Sequence, residues 1–205
     1  MMGMIWNSDG FGDMDKHFTV QETVREKHLD FVAIMETGRY NFATPFLNRL
    51  AGGMDYAWFV LPPHGRSGGI LAGFNCATFC VQDVTSGDFC IKFHIKSKCD
   101  GFLWTLVIVY GAAQDEHKPE FLAELVRICD NESQPMLVGG DFNIIRRQEE
   151  KNNTNFNARW PFIFNAIIES LNLREIDLSG RQFTWDSRRE TPTFEKLGEG
   201  SLSRG

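Results

Sequence analysis

Three stretches of this chain stay almost wholly apolar until their final positions: "FVAIMET" at 31–37, "LWTLVIVYG" at 103–111 and "MLVGGDFN" at 136–143. A strand with one solvent face alternates apolar and polar side chains, whereas a continuous apolar run needs cover on both faces. Several such strands exclude a lone one-sided sheet. They predict two sheets packed face to face with helices outside, in the α/β or α+β class. With 205 residues, 42% of them hydrophobic and 13% aromatic, the chain can close one core of that kind, so a single domain is expected.

The rest of the pattern fits that frame. An Ile5-Trp6 strand opens the chain, and the capping-box spacing of Thr19-Val20-Gln21-Glu22 predicts a helix running to about His28. Tyr56 to Leu61 and Gly69 to Phe74 read as short strands on either side of the turn-rich "PPHGRSGG". In "FCIKFHIKSK" (89–98), Phe89, Ile91, Phe93 and Ile95 alternate with Lys92, His94, Lys96 and Lys98, which predicts a half-buried strand with a basic outer face. Helical spacing recurs at 118–130 and from Trp160 to Leu171. From Asp186 onward, "DSRRETPTFEKLGEGSLSRG" is polar and without period. The expected division is a domain over 1–185 and a poorly ordered tail over 186–205.

Charge and cysteines narrow the function classes. A net charge of −6 argues against coating nucleic acid by bulk attraction, so a polyanion would have to meet a local patch. Lys92, Lys96 and Lys98, with Arg146, Arg147 and Lys151, are candidates for phosphate contacts; the alternatives are gatekeeper lysines on an edge strand and a solvated arginine loop. Five cysteines, an odd count with no C-x-x-C, read as buried free thiols. Without a signal-like start or a run of about 20 apolar residues, a soluble intracellular protein is expected.

The polar residues that end the buried strands are the candidates for chemistry. Residues two apart on an extended chain share a side. Asn7 and Asp9 in "WNSDG" therefore look out together, and Asp141 and Asn143 in "GGDFN" repeat the arrangement. Glu36 and Tyr110 also stand where apolar strands stop. Should these ends converge, three carboxylates, two amides and a phenol would form an oxygen-rich site suited to Mg²⁺, with Mn²⁺ as a substitute, rather than to zinc. Taken singly, each residue also reads as a turn former, a helix cap or a core aromatic.

In chain order, "WNSDG", "MET", "GRSGGI", "VYG" and "GGDFN" resemble the endonuclease/exonuclease/phosphatase superfamily. The likeness is to the apurinic-endonuclease-like domain of plant LINE-type (non-LTR) retrotransposons. The later "KNN", "LNLREIDLSGRQFTW" and "PTFEKL" are similar to the same subgroup. The resemblance implies a DNase I-like four-layer sandwich and a Mg²⁺-dependent phosphodiesterase that nicks DNA in the nucleus. It also implies roles. Asp9 and Glu36 would be metal ligands, with Asn7 beside them; Tyr110 would bond the phosphate; Asp141 would orient or deprotonate the attacking water; Asn143 would contact phosphate and nucleophile. Ser67 of "GRSGG" is not expected to be catalytic.

One part of the family pattern is missing. After "KL" the family continues with an aspartate-led strand and a Ser-Asp-His stretch, where this sequence has "GEGSLSRG". None of His17, His28, His64, His94 and His117 holds an equivalent place. The expectation is a fold missing its last strands, with a sheet edge uncovered. A second reading stays open: a catalytically dead retrotransposon-derived fragment with weak metal or nucleic-acid binding.

Overall fold

The computed structural model describes residues 1–63, 68–147 and 158–176, together with the backbone of three strands at 185–186, 194–195 and 200–204. Its first sheet has the order β1-β2-β4-β3, from β1 (Gly3–Asn7), β2 (Phe31–Met35), β3 (Tyr56–Leu61) and β4 (Ile70–Asn75). The second has the order β5-β6-β7-β8-β12-β9. Its strands are β5 (Phe79–Ser86), β6 (Cys90–Ser97), β7 (Leu103–Tyr110), β8 (Met136–Asp141), β9 (Arg174–Ile176) and β12 (Gly200–Arg204). A two-residue pair, β10 (Trp185–Asp186) with β11 (Phe194–Glu195), stands apart.

The sheets face each other across Phe31, Ala33, Met35, Ile70, Phe74, Ile91, Phe93, Ile95, Trp104, Leu106 and Ile108, all buried. On the outer face of the first sheet lie α1 (Met14–Lys27) and α2 (Thr44–Leu50), over Val32, Ile34 and Leu71. Against the second lie α3 (Lys118–Cys129) and α4 (Arg159–Ser170), over Val107, Val109 and Val138. Successive residues of β2 and β7 thus bury on opposite faces, which explains their unbroken apolar runs. The expected two-sheet sandwich flanked by helices is the fold observed.

Two parallel pairings set up the rest. β1 runs parallel to β2 with Asn7 opposite Met35, and β7 runs parallel to β8 with Tyr110 opposite Asp141. All four strands end at the same rim. Loops carrying polar groups collect at the carboxyl ends of such strands, much as in open α/β sheets.

Several expectations need correction. The first helix starts at Met14, five residues before the capping-box threonine. Its N-cap is Asp13, whose side chain accepts from the Asp15 N–H, while the Thr19 and Thr23 hydroxyls donate to carbonyls four residues back. Neither α2 nor β5 was anticipated. β6 is an inner strand, with β5 outside it, so its lysines guard no edge. An uncovered sheet edge was expected, yet β8 is no edge: β12 pairs antiparallel with it, Leu202 opposite Val138, and carries β9 on its other side. Apart from the three short strands, the expected tail lies outside the described residues. The reading of five buried thiols holds for Cys90 and Cys129, whereas Cys80 and Cys99 are exposed. Among the described residues no helix is long and apolar enough to cross a membrane.

Candidate active site

Among the described residues three hydrogen bonds join the sheets at the rim, one of them from the Asp141 N–H to the Met35 Sδ at 3.3 Å. Asn7, the last residue of β1, donates from Nδ2 to Oδ2 of Asp141, the last residue of β8, at 2.7 Å. Tyr110, which closes β7, donates its hydroxyl to Oε1 of Glu36, just past β2, at 3.0 Å. The Asn7 Oδ1 accepts from the Asp9 N–H at 3.1 Å. Asn143 donates its N–H to Asp141 Oδ1 at 2.9 Å and its Nδ2 to the Gly111 carbonyl at 2.8 Å. All six residues singled out in the sequence meet at this rim.

The backbone is bent to hold them there. Asp9, Glu36 and Asn143 adopt left-handed conformations, with φ of 48°, 59° and 51°. For a non-glycine residue such a conformation is strained, and it persists only where surroundings enforce it. Those surroundings are visible: Gly10 N–H donates to the Glu36 carbonyl at 3.1 Å, and Thr37 and Gly38 N–H groups donate to Gly69 and Gly68 at 3.2 and 3.0 Å. Two glycines allow the close approach of β7 and β8. A Cβ on Gly140 would stand 2.0 Å from the Val109 carbonyl oxygen, and one on Gly111 would stand 2.3 Å from that of Phe142. Of the turn-rich loop between β3 and β4, residues 64–67, including Ser67, lie outside the described residues.

Burial and mutual repulsion tune the acids. Burial pushes the Glu36 carboxyl above its ordinary range; Tyr110 counteracts this, and the nearby Asp9 and Asp141 charges add to it. Asp141 is 2% exposed, and burial raises its proton affinity against the lowering effect of its bonds from Asn143 and Asn7. The Tyr110 phenol is driven far up, first by burial and then by Glu36, so it remains a protonated donor.

This concentration of negative charge suits a hard cation. Among the described residues no three His, Cys, Asp or Glu side chains form a group able to hold a metal ion by themselves. Magnesium, however, is commonly held by one or two carboxylates and retained waters. Asp9 and Glu36 with the Asn7 amide oxygen provide such a donor set, and burying Glu36 among like charges leaves a charge that a cation would offset. The donor set fits the expected ion.

The expected basic patch fares differently. Lys92 donates to the Ile128 carbonyl at 3.1 Å and pairs with Glu132 at 3.6 Å, and Lys98 donates to the Cys76 carbonyl at 2.6 Å. Arg146 pairs with Glu175 at 2.8 Å and Arg147 with the same carboxylate at 3.8 Å. Lys151 lies outside the described residues. These cations brace the fold. A cleft of about 550 Å³ begins at Tyr110 and Gly111 and is walled by Asp88, Glu116, His117 and Glu120. That acidic wall disfavours a phosphate backbone on its side.

Sequence reasoning missed two basic residues near the rim. Lys16 of α1 reaches the loop carrying Asp9. Arg39, three residues past Glu36, lies over Phe46 and Phe42, 5.5 and 5.9 Å from their ring centroids. An acid–aromatic motif search overlooks both, since one acts on carbonyls and the other stacks on rings.

Comparison with known proteins bears on the family and the fold. The model of the Endonuclease/Exonuclease/phosphatase family matches residues 4–200. Comparison with curated protein sequences yields no significant match. Among solved structures, an AP endonuclease from Archaeoglobus fulgidus is similar at a TM-score of 0.71 and 16% identity, covering 99% of this chain and 86% of that one. The endonuclease domain of TRAS1, a telomere-specific non-LTR retrotransposon, gives 0.65 and 12% over 96% and 82% of the two chains. The human Nocturnin catalytic domain gives 0.61 and 14% over 98% and 90%. At these identities the likeness is one of fold.

Proposed function

Because the chain belongs to the Endonuclease/Exonuclease/phosphatase family, we propose that its rim is the active site of a Mg²⁺-dependent phosphodiesterase that nicks DNA, as the endonuclease module of a LINE-type retrotransposon. The observation that carries this reading is the 2.7 Å bond from Asn7 to Asp141, which brings the polar ends of two distant strand pairs together at one rim. The TRAS1 domain, an endonuclease of a non-LTR element, supports the finer assignment.

Asp9 and Glu36, with the Asn7 amide, are the residues that would hold magnesium or manganese. When bound, the ion supplies charge neutralisation at the non-bridging phosphate oxygens. Asp141 takes a proton from the attacking water. Its Oδ atoms each accept one bond already, which fixes the carboxylate plane, and its burial makes it a stronger base than a free aspartate. The Tyr110 hydroxyl and the Asn143 amide turn from Glu36 and Gly111 to donate to the phosphate as negative charge accumulates there.

Of the five histidines, four lie among the described residues and His64 lies outside them. His17 packs between Phe11 and Phe46, His28 caps α1, His94 bonds Glu132 at 2.9 Å, and His117 bonds Glu120 at the cleft wall. None of these four bonds Asp141, Asn143 or Glu36. A site served by no imidazole would want for a main charge stabiliser and lose on the order of 10²–10³ in rate. With supercoiled plasmid and Mg²⁺, the 205-residue chain is expected to nick slowly, chelator to stop it, and Asp141→Ala to lower the rate by a further factor of about 10²–10⁴. Nicking that survives Asp141→Ala overturns the assignment. Metal binding without any nicking supports the second reading, a catalytically silent relative that only binds.

A further inference from the structure

Lys16 sits where a lysine is locally disfavoured. It is the third residue of α1, whose first turn otherwise carries Asp15 behind the Asp13 cap. The amino end of a helix bears partial positive charge, which repels a cation. A residue that violates local preference is commonly kept by an interaction elsewhere. Here that interaction is visible. The Lys16 ammonium donates to three consecutive carbonyls, those of Ser8, Asp9 and Gly10, at 2.6, 2.9 and 2.9 Å.

An ammonium has three N–H donors and this one uses them all on the same loop. Three successive carbonyl oxygens converge on one point only because the backbone turns left-handed, with φ of 48° at Asp9 and 84° at Gly10. Left alone, such parallel dipoles repel, and the turn would relax. The next residue, His17, also reaches back, its Nε2 standing 3.1 Å from the Phe11 carbonyl. The first turn of α1 therefore grips the segment from Ser8 to Phe11. The other side of that segment is tied to the site: Gly10 N–H donates to the Glu36 carbonyl, and Asp9 N–H to Asn7 Oδ1.

We propose that Lys16 is a positioning residue: by clasping the carbonyls of Ser8, Asp9 and Gly10 it holds the Asp9 carboxylate beside Glu36 and so sets the affinity of the site for a divalent cation. The inference rests on the reading of Asp9 and Glu36 as the cation-holding pair. Lys16 touches neither phosphate nor ion; it acts through the backbone.

The test exploits a conflict of sign. Removing a positive charge close to a cation site tightens cation binding by Coulomb's law alone, whereas losing the clasp loosens it. Mn²⁺ binding is measured by electron paramagnetic resonance on the wild-type chain and on Lys16→Met, Lys16→Gln and Lys16→Arg. The expected result is a loss of about tenfold in Mn²⁺ affinity for Lys16→Met, the scale typical of residues that orient metal ligands. Lys16→Arg, which keeps charge and several donors, should recover part of it, with Lys16→Gln between. The exchange rate of the Gly10 amide hydrogen should rise by about tenfold in Lys16→Met. Affinity that is unchanged or tighter in Lys16→Met overturns the proposal while leaving the proposed function intact. Should Lys16→Met not fold, the order wild type, Arg, Gln decides in the same way. A wild-type chain that binds no Mn²⁺ overturns the cation reading itself, and the inference with it.

Discussion

Glu36 is half-buried beside two other carboxylates, and its charge is a cost that the fold carries in the absence of a counterion. Its proton affinity is higher in the folded chain than in the unfolded one, so the penalty is absent below the ordinary glutamate range. It grows as pH rises through the elevated folded value. Glu36→Gln keeps an acceptor for Tyr110 and removes the charge. At pH 8, without metal, this variant is expected to melt about 2 °C higher than the wild type, and the difference to vanish toward pH 4. Adding Mg²⁺ should reverse the order at pH 8, because the wild type alone gains a paired carboxylate. Thermal melts at the two pH values, with and without Mg²⁺, check both statements. At this scale the sequence was most informative. Asn7, Asp9, Glu36, Tyr110, Asp141 and Asn143 end apolar runs, and strand ends are where a buried chain first regains water and chemistry. Lys16 was invisible because a lysine bonded to carbonyls leaves no partner motif to find.

Among the elements, the turn joining β5 to β6 depends on a residue of α3. The buried Glu124 carboxylate accepts the N–H groups of Asp88, Phe89 and Cys90, each at 2.9 Å, and Gly87 beneath it leaves no room for a side chain. Glu124→Ala strands three donors, and is expected to cost about 3 kcal/mol of stability by urea denaturation. Mn²⁺ affinity should change far less than stability, since among the described residues Glu124 bonds neither Asp9 nor Glu36 and its tie to the rim runs only through Phe89, whose carbonyl accepts the Tyr110 N–H. β5 escaped sequence reading for a physical reason. It is an edge strand with a register break between Val81 and Asp83, which destroys the period of two. α2 is seven residues long with a proline in its first turn, too short to display a helical period. β2, β7 and β8 were plain because cover on both faces writes an unbroken apolar run into the chain.

For the whole molecule, the closure of the second sheet sets stability. β12 fills the edge of β8 along five register pairs, Gly200 to Arg204. A chain ending at residue 195 presents β8 as an open edge and takes from β9 the strand it pairs with. It is expected to melt at least about 5 °C lower and to associate at micromolar concentration, which calorimetry and light scattering would detect. This closure was the least legible feature: a short polar strand has no periodicity of its own and is specified by the partner that awaits it.

The parallel pairs also give the molecule two poles. Tyr110 ends β7 at the rim, whereas Leu103 begins that strand roughly 23 Å away. Both exposed thiols belong to the far pole: Cys80 pairs in register with Lys96, and Cys99 lies in the turn between β6 and β7. The buried thiols stay unreactive, with burial pushing Cys129 up to about 12. A maleimide dye can therefore be attached to the native chain at the end opposite the rim, giving a fluorescent observer of the proposed nucleic-acid capture that leaves every rim residue untouched.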